Sequence, residues 1–139
     1  MRDHVAFAGD FQRDRGAGVT PGRDLTTSLR VRLTQRGWAC GDPRDPAHAW
    51  QFDCRRGRWR ARINVGYVPE EGRGWIIVSE VAAGLGRLLR RSGHQEGLTL
   101  LCSAVHALLS FDPRVRTVRW FTEQEWDDPA APHGAPTPL

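Results

Sequence analysis

A chain of 139 residues, 40% hydrophobic and 26% charged, is long enough to bury one core without disulfides or metal, and its composition is that of a globular domain. No apolar run approaches the roughly 18 residues that a membrane-spanning helix needs. The formal charge of +4 is carried without a single lysine, so every side-chain cation is a planar guanidinium suited to carboxylates, phosphates and aromatic faces, and this mild excess permits acidic protein or nucleic-acid partners without requiring either.

The first stretch, residues 5–24, reads as an N-terminal arm and loop. A short apolar piece from Val5 to Phe11 anchors it, with an edge strand as one outcome. Asp10 and Gly9 interrupt the place where a secretory apolar region would lie, so a cytoplasmic location is expected. Leu25, Leu29 and Leu33 recur every four residues and predict a helix over 25–36, with Asp24 as its N-cap. Gly37 suits the left-handed position just past that helix, and Trp38 then packs back on Leu33. The loop 41–49 holds Asp42, Asp45 and His48 at a three-residue spacing. That is too few ligands for a metal centre, and two prolines hold the loop rigid without making it converge.

The stretch 50–81 predicts three strands in a meander. Trp50, Phe52 and Cys54 alternate with polar residues, and after the Gly57 turn Trp59, Ala61, Ile63, Val65 and Tyr67 share one face. Residues 69–74 form a polar, glycine-rich turn. Trp75-Ile76-Ile77-Val78 has no polar alternation, which places the third strand inside the sheet, covered on both faces. Residues 82–91 predict a short or frayed helix.

The next helix carries an apolar stripe of Leu98, Leu101, Cys102, Val105, Leu108 and Leu109. Ser92 and Gln95 have the spacing of a capping box at its start, and Asp112-Pro113 ends it. A strand over 115–121 follows. Thr122 and Glu125 form a second capping box, opening a turn of helix that includes Trp126. The Pro/Ala-rich residues 129–139 read as a disordered tail.

The fold class is therefore α+β: an antiparallel meander of about four strands with two main helices on one face, in the order α-β-β-β-α-β, as a single domain over 4–128. This order is similar to that of several small bacterial binding folds, among them secretion chaperones that dimerise around effectors; the similarity is one of element order alone.

Two surfaces stand out. Arg58, Arg60 and Arg62 lie on one side of the second strand about 6.7 Å apart, close to the spacing of successive phosphates, and Arg55 and Arg56 extend the patch from the turn. The same pattern arises on the solvated side of any one-sided antiparallel sheet, and no aromatic residue shares that side to stack on bases. Trp120 and Trp126, among Glu123, Glu125, Asp127 and Asp128, form an aromatic–acidic cluster with the composition of a protein-binding hot spot. A C-terminal segment packing its aromatics inward has the same composition.

Cys40, Cys54 and Cys102 lack CxxC spacing and read as small buried hydrophobes in a reducing compartment. Cys102 and His106 are one helical turn apart but lie in and beside the apolar stripe, without a third group to form a catalytic set. No phosphate loop and no cofactor motif is present. The expectation is a non-enzymatic binding domain acting through a protein partner, of the immunity, inhibitor, chaperone or adaptor kind. Nucleic-acid binding by the arginine face is the alternative. The opposed charges of the two surfaces also permit a homodimer.

Overall fold

A computed structural model describes residues 2–13, 20–69, 74–81, 91–128 and 134–139, with backbone alone at 91–94. Six strands form one sheet: β1 (His4–Gly9), β2 (Ala39–Cys40), β3 (Trp50–Arg56), β4 (Trp59–Val68), β5 (Gly74–Val81) and β6 (Val115–Phe121). Helix α1 (Arg23–Gln35) follows β1, α2 (Arg91–Ser110) precedes β6, and α3 (Glu123–Asp127) follows it. The strand order is β2-β3-β4-β5-β1-β6, and every neighbouring pair is antiparallel.

The α+β class holds, but the sheet is wider than a four-strand meander. The meander β3-β4-β5 is its middle, β2 is added at one edge, and the N-terminal arm is a strand. Nor is β1 an edge. Val5 pairs with Ile77 on one side and with Trp120 on the other, and Val5, Ala6 and Phe7 are all fully buried. Three consecutive buried residues require cover on both faces, the condition that apolar runs in a sheet interior satisfy. The run in β5 also lies inside the sheet, between β4 and β1, but its burial alternates: Trp75, Ile77 and Ser79 are buried on the inner face, whereas Ile76 and Val78 on the outer face are only partly buried.

Alternation along each strand sorts the sheet into two faces. On the inner face Phe52, Ile63, Val65, Trp75, Ile77, Phe7, Val5 and Trp120 join Leu25, Leu29 and Leu33 of α1 and Leu101, Val105 and Leu109 of α2 in one core. α2 comes so close that a Cβ on Gly97 would run into the ring of Trp59. Only a residue without a side chain lets helix and indole meet there.

Helix α1 ends as its sequence dictates. Gly37 has φ 94°, its N–H donates to the Thr34 carbonyl at 3.1 Å, and the Trp38 N–H donates to the Leu33 carbonyl at 3.0 Å. These are the two bonds of a Schellman motif, closed by the buried pair Leu33 and Trp38. The start differs: Gly22 is the N-cap, with no side-chain bond to the helix backbone. Asp24 instead accepts from the backbone N–H of Gln12 at 2.9 Å and of Leu25 at 2.8 Å, tying the end of the N-terminal arm to the helix.

The outer face is covered over half its width. There α3 lays Trp126 against Phe121, ring centroids 5.3 Å apart, and against His4 at 5.7 Å. Within the stretch read as a disordered tail, residues 134–139 are described, and they are paired. Ala135 and Trp120 exchange backbone hydrogen bonds of 2.8 and 2.7 Å, and the Arg2 N–H donates to the Pro138 carbonyl at 3.2 Å. β6 would otherwise present open backbone groups at a sheet edge, and that unmet bonding recruits even a proline-rich segment.

The short helix expected over 82–91 falls almost wholly outside the described residues, as do the side chains of the expected Ser92 cap. Among the described residues no helix is long and apolar enough to cross a membrane.

Candidate functional site

The five arginines that sequence gathers into one stripe divide in the structure according to where their backbone places them. Arg58 belongs to the hairpin turn after Gly57, ahead of the regular alternation of β4. Its guanidinium lies 5.1 Å from the centre of the Trp59 ring and 3.4 Å from Glu96 of α2, so it leans toward the helices. Arg56 is opposite Trp59 and turns the same way, toward the end of α1 near Gly37. Arg62 is on the outer face but is neutralised there. Its Nε donates to Asp53 at 2.9 Å, Arg44 reaches the same carboxylate at 3.2 Å, and Glu80 stands directly across on β5. The Arg62 guanidinium holds the Asp53 carboxyl below the usual carboxylate range, helped by Arg44.

Arg55 and Arg60 remain. They are directly opposed across the β3–β4 ladder, both exposed on the outer face. Among the described residues neither side chain has a hydrogen bond or ion pair. Like charges facing each other on adjacent strands are destabilising, by a fraction of a kcal/mol up to about 1 kcal/mol. The face around them is mixed in sign, with Asp53 and Glu80 on it, so it is not a continuous cationic track.

The aromatic–acidic cluster is largely used by the fold. Trp120 is 0% exposed, and its Nε1–H donates to His106 Nδ1 at 3.1 Å. Its side chain belongs to the inner core and has no surface to offer a partner. Glu125 closes the capping box with Thr122, its Oε1 accepting from the Thr122 N–H at 3.1 Å while the Thr122 hydroxyl accepts from the Glu125 N–H at 3.0 Å. Glu125 also pairs with Arg2 at 3.2 Å. These bonds, the Thr122 N–H first, hold its carboxyl below the usual range. Trp126 is half-buried over Phe121, and Glu123 is exposed.

The remaining candidates are also accounted for by structure. Cys102 is fully buried, and burial pushes its thiol up to about 12. His106 directs Nδ1 at the Trp120 indole. In the 41–49 loop Asp42 pairs with Arg30 at 3.1 Å and Asp45 accepts from the Thr20 hydroxyl at 2.8 Å. Among the described residues, no cluster of three His, Cys, Asp or Glu side chains is placed to hold a metal.

Two features were missed from sequence. Asp112, buried at the end of α2, takes a two-pronged pair from Arg114 (Nε 3.0 Å, Nη2 2.8 Å) and lies 3.5 Å from Arg32 of α1. Arg114 in turn stacks on Phe11 at 4.6 Å, so one carboxylate fastens both helices to the start of β6. Its sequence signal is Asp-Pro-Arg, an aspartate two residues before a basic one at a turn. The second feature is Cys40, which is only half-buried and lies directly across from Cys54. Strand β2 is two residues long, and nothing in so short a segment announces its register.

Comparison with protein-family models, with curated proteins and with solved structures finds no match to this chain.

Proposed function

We propose that this chain is a small non-enzymatic binding domain whose partner is an acidic protein surface, docked on the bare outer face of β3 and β4. Arg55 and Arg60 are the anchors, and the domain belongs with inhibitor, immunity, chaperone or adaptor proteins in its manner of action. One observation carries this reading. Two exposed guanidinia stand opposed across a ladder without a carboxylate between them, an arrangement that costs stability in the isolated domain and is relieved when an anionic group enters between them. A carboxylate-bearing loop or helix supplies such a group, and arginine's fork takes it in a two-pronged hydrogen-bonded pair.

The mixed charge of the face favours protein over nucleic acid. A phosphate-tracking surface needs several free cations in line, whereas Arg58 is turned to the helices and Arg62 is neutralised by Asp53. Trp126 and Glu123, at the other end of the outer face, extend the proposed contact to a larger partner.

The test is affinity capture from lysate of the source organism, with and without nuclease, using the native chain beside an Arg55→Glu/Arg60→Glu variant. The expected result is one stoichiometric protein that survives nuclease, is lost with the variant, and is lost without a change in melting temperature. Recovery that disappears with nuclease would transfer the face to nucleic acid. A partner retained by the variant would remove Arg55 and Arg60 from the interface.

A further inference from the structure

Cys40 and Cys54 are Cα partners in the β2–β3 ladder. The Gly41 N–H donates to the Asp53 carbonyl at 2.8 Å, one residue beyond the cysteines on each strand, so the cysteines occupy a non-hydrogen-bonded position. Side chains approach most closely at such positions, with Cα atoms about 4.5 Å apart. That separation lies at the short end of the range a disulfide accepts, about 4.4 to 6.8 Å. The two thiols also differ in access. Cys40 is half-buried at the sheet edge, whereas Cys54 is 3% exposed within the core.

We propose that Cys40 and Cys54 form a reversible thiol–disulfide exchange site whose reagent is a low-molecular-weight disulfide. Cys40 is the attacking group, because it is the one a reagent can reach. Its thiolate bonds to one sulfur of the reagent and releases the other half as a thiolate, which takes up the proton that Cys40 lost. Cys54 then gives up its proton and bonds to the Cys40 sulfur, displacing the second half of the reagent, which leaves as a thiol. The balance is one protein dithiol and one small disulfide giving one protein disulfide and two small thiols. Two electrons pass from the protein to the reagent.

The surroundings favour this division of roles. The pairing with Cys54, with the charge of Arg30 adding to it, brings Cys40 below the ordinary thiol range despite its burial. Cys54 is pushed up by the pairing with Cys40 and by burial, which suits a group that acts only after the first bond has formed. Arg30 is fixed by its own Nε donating to the Gly41 carbonyl at 2.7 Å. The short cross-strand separation makes the product reducible rather than permanent.

The experiment treats the full chain with oxidised glutathione under native conditions and reads intact mass and peptide maps. The expected product has lost two hydrogens, links Cys40 to Cys54, leaves Cys102 as a thiol, and returns to the starting mass with dithiothreitol. Cys54→Ser should halt at a stable single glutathione adduct on Cys40. Cys40→Ser should leave Cys54 unmodified until the chain is unfolded. Three results would each overturn the proposal: no reaction while a simple model thiol is oxidised, a glutathione adduct on the native chain that never resolves, or a disulfide that includes Cys102. Circular dichroism of both variants confirms that they are folded when treated.

Discussion

The two halves of the outer sheet face belong to one continuous sheet, yet they end in opposite conditions. Over β1 and β6 the outward residues His4, Ala6 and Phe121 stand beside a single arginine, Arg119, opposite Ala6; Trp126 packs on His4 and Phe121, and Ala135 and Pro138 bond to the backbone of Trp120 and Arg2. Over β3 and β4 the residues in equivalent positions are Asp53, Arg55, Arg60 and Arg62, and they remain open. Cover therefore follows side-chain chemistry locally. The C-terminal segment goes where apolar surface and an open edge coincide, and a half whose outward side chains are charged needs no such cover to be stable. A bare half bearing an unrelieved arginine pair is then the part of the sheet available to something else.

The strongest test falls on Trp120, whose ring lies in the inner core. Trp120→Ala should cost about 3 to 5 kcal/mol and be seen as a large fall in the urea midpoint. A variant that keeps its stability and loses only a partner would return Trp120 to the surface. Next, truncation after Asp128 removes the pairing of Ala135 with Trp120 and of Pro138 with Arg2. A loss of about 2 kcal/mol is expected from those bonds, together with light scattering as the β6 edge opens. Equal stability with and without the segment would mean that the cover is incidental.

The Asp112–Arg114 lock gives a pH test of how the covered half is joined to the helices. The Arg114 guanidinium, ahead of its other partners, holds the Asp112 carboxyl below the ordinary carboxylate range. A carboxyl depressed on folding contributes stability that is fully present above its unfolded pKa and is lost as the pH falls through its folded one. Asp112→Asn should therefore be less stable than the native chain at neutral pH, by about 2 kcal/mol. The gap should close below about pH 4. A gap that persists at low pH would assign the loss to packing rather than charge.

The smallest effect belongs to the bare half. Arg60→Gln should change stability by no more than about 0.5 kcal/mol, in the direction of a gain, because it removes one of two opposed like charges. A clear loss on thermal denaturation would show that Arg60 has a structural partner after all.

Much of the architecture is legible in the residues themselves. The end of α1 follows from Gly37 and Trp38 because a Schellman motif depends on a few adjacent residues. The capping box of Thr122 and Glu125 is equally local, and the interior place of β5 follows from its unbroken apolar run. Pairing between distant segments is not legible in this way. The run Val5-Ala6-Phe7 carries the same apolar signal as β5, but its partners lie in the second half of the chain, so its central position is invisible locally. Trp120 misleads because acidic residues follow it closely in sequence, whereas strand alternation alone decides which way it faces. Arg58 misleads because the residue that closes a turn does not yet obey that alternation. A Pro/Ala-rich composition reads as disorder, but composition says nothing of an edge nearby that lacks partners.

The position of β1 also bears on how the chain is made. Synthesis delivers β1 first, but the strands that flank it, β5 and β6, are delivered late. During most of translation an apolar strand with two open edges has nothing to join, and the meander β3-β4-β5 can form its hairpins before β1 is enclosed. The sheet closes only when β6 has emerged. Folding should therefore be slow for a chain of this size, because its decisive pairing is also its most distant, and β1 is the segment most in need of protection by a chaperone until β6 is made.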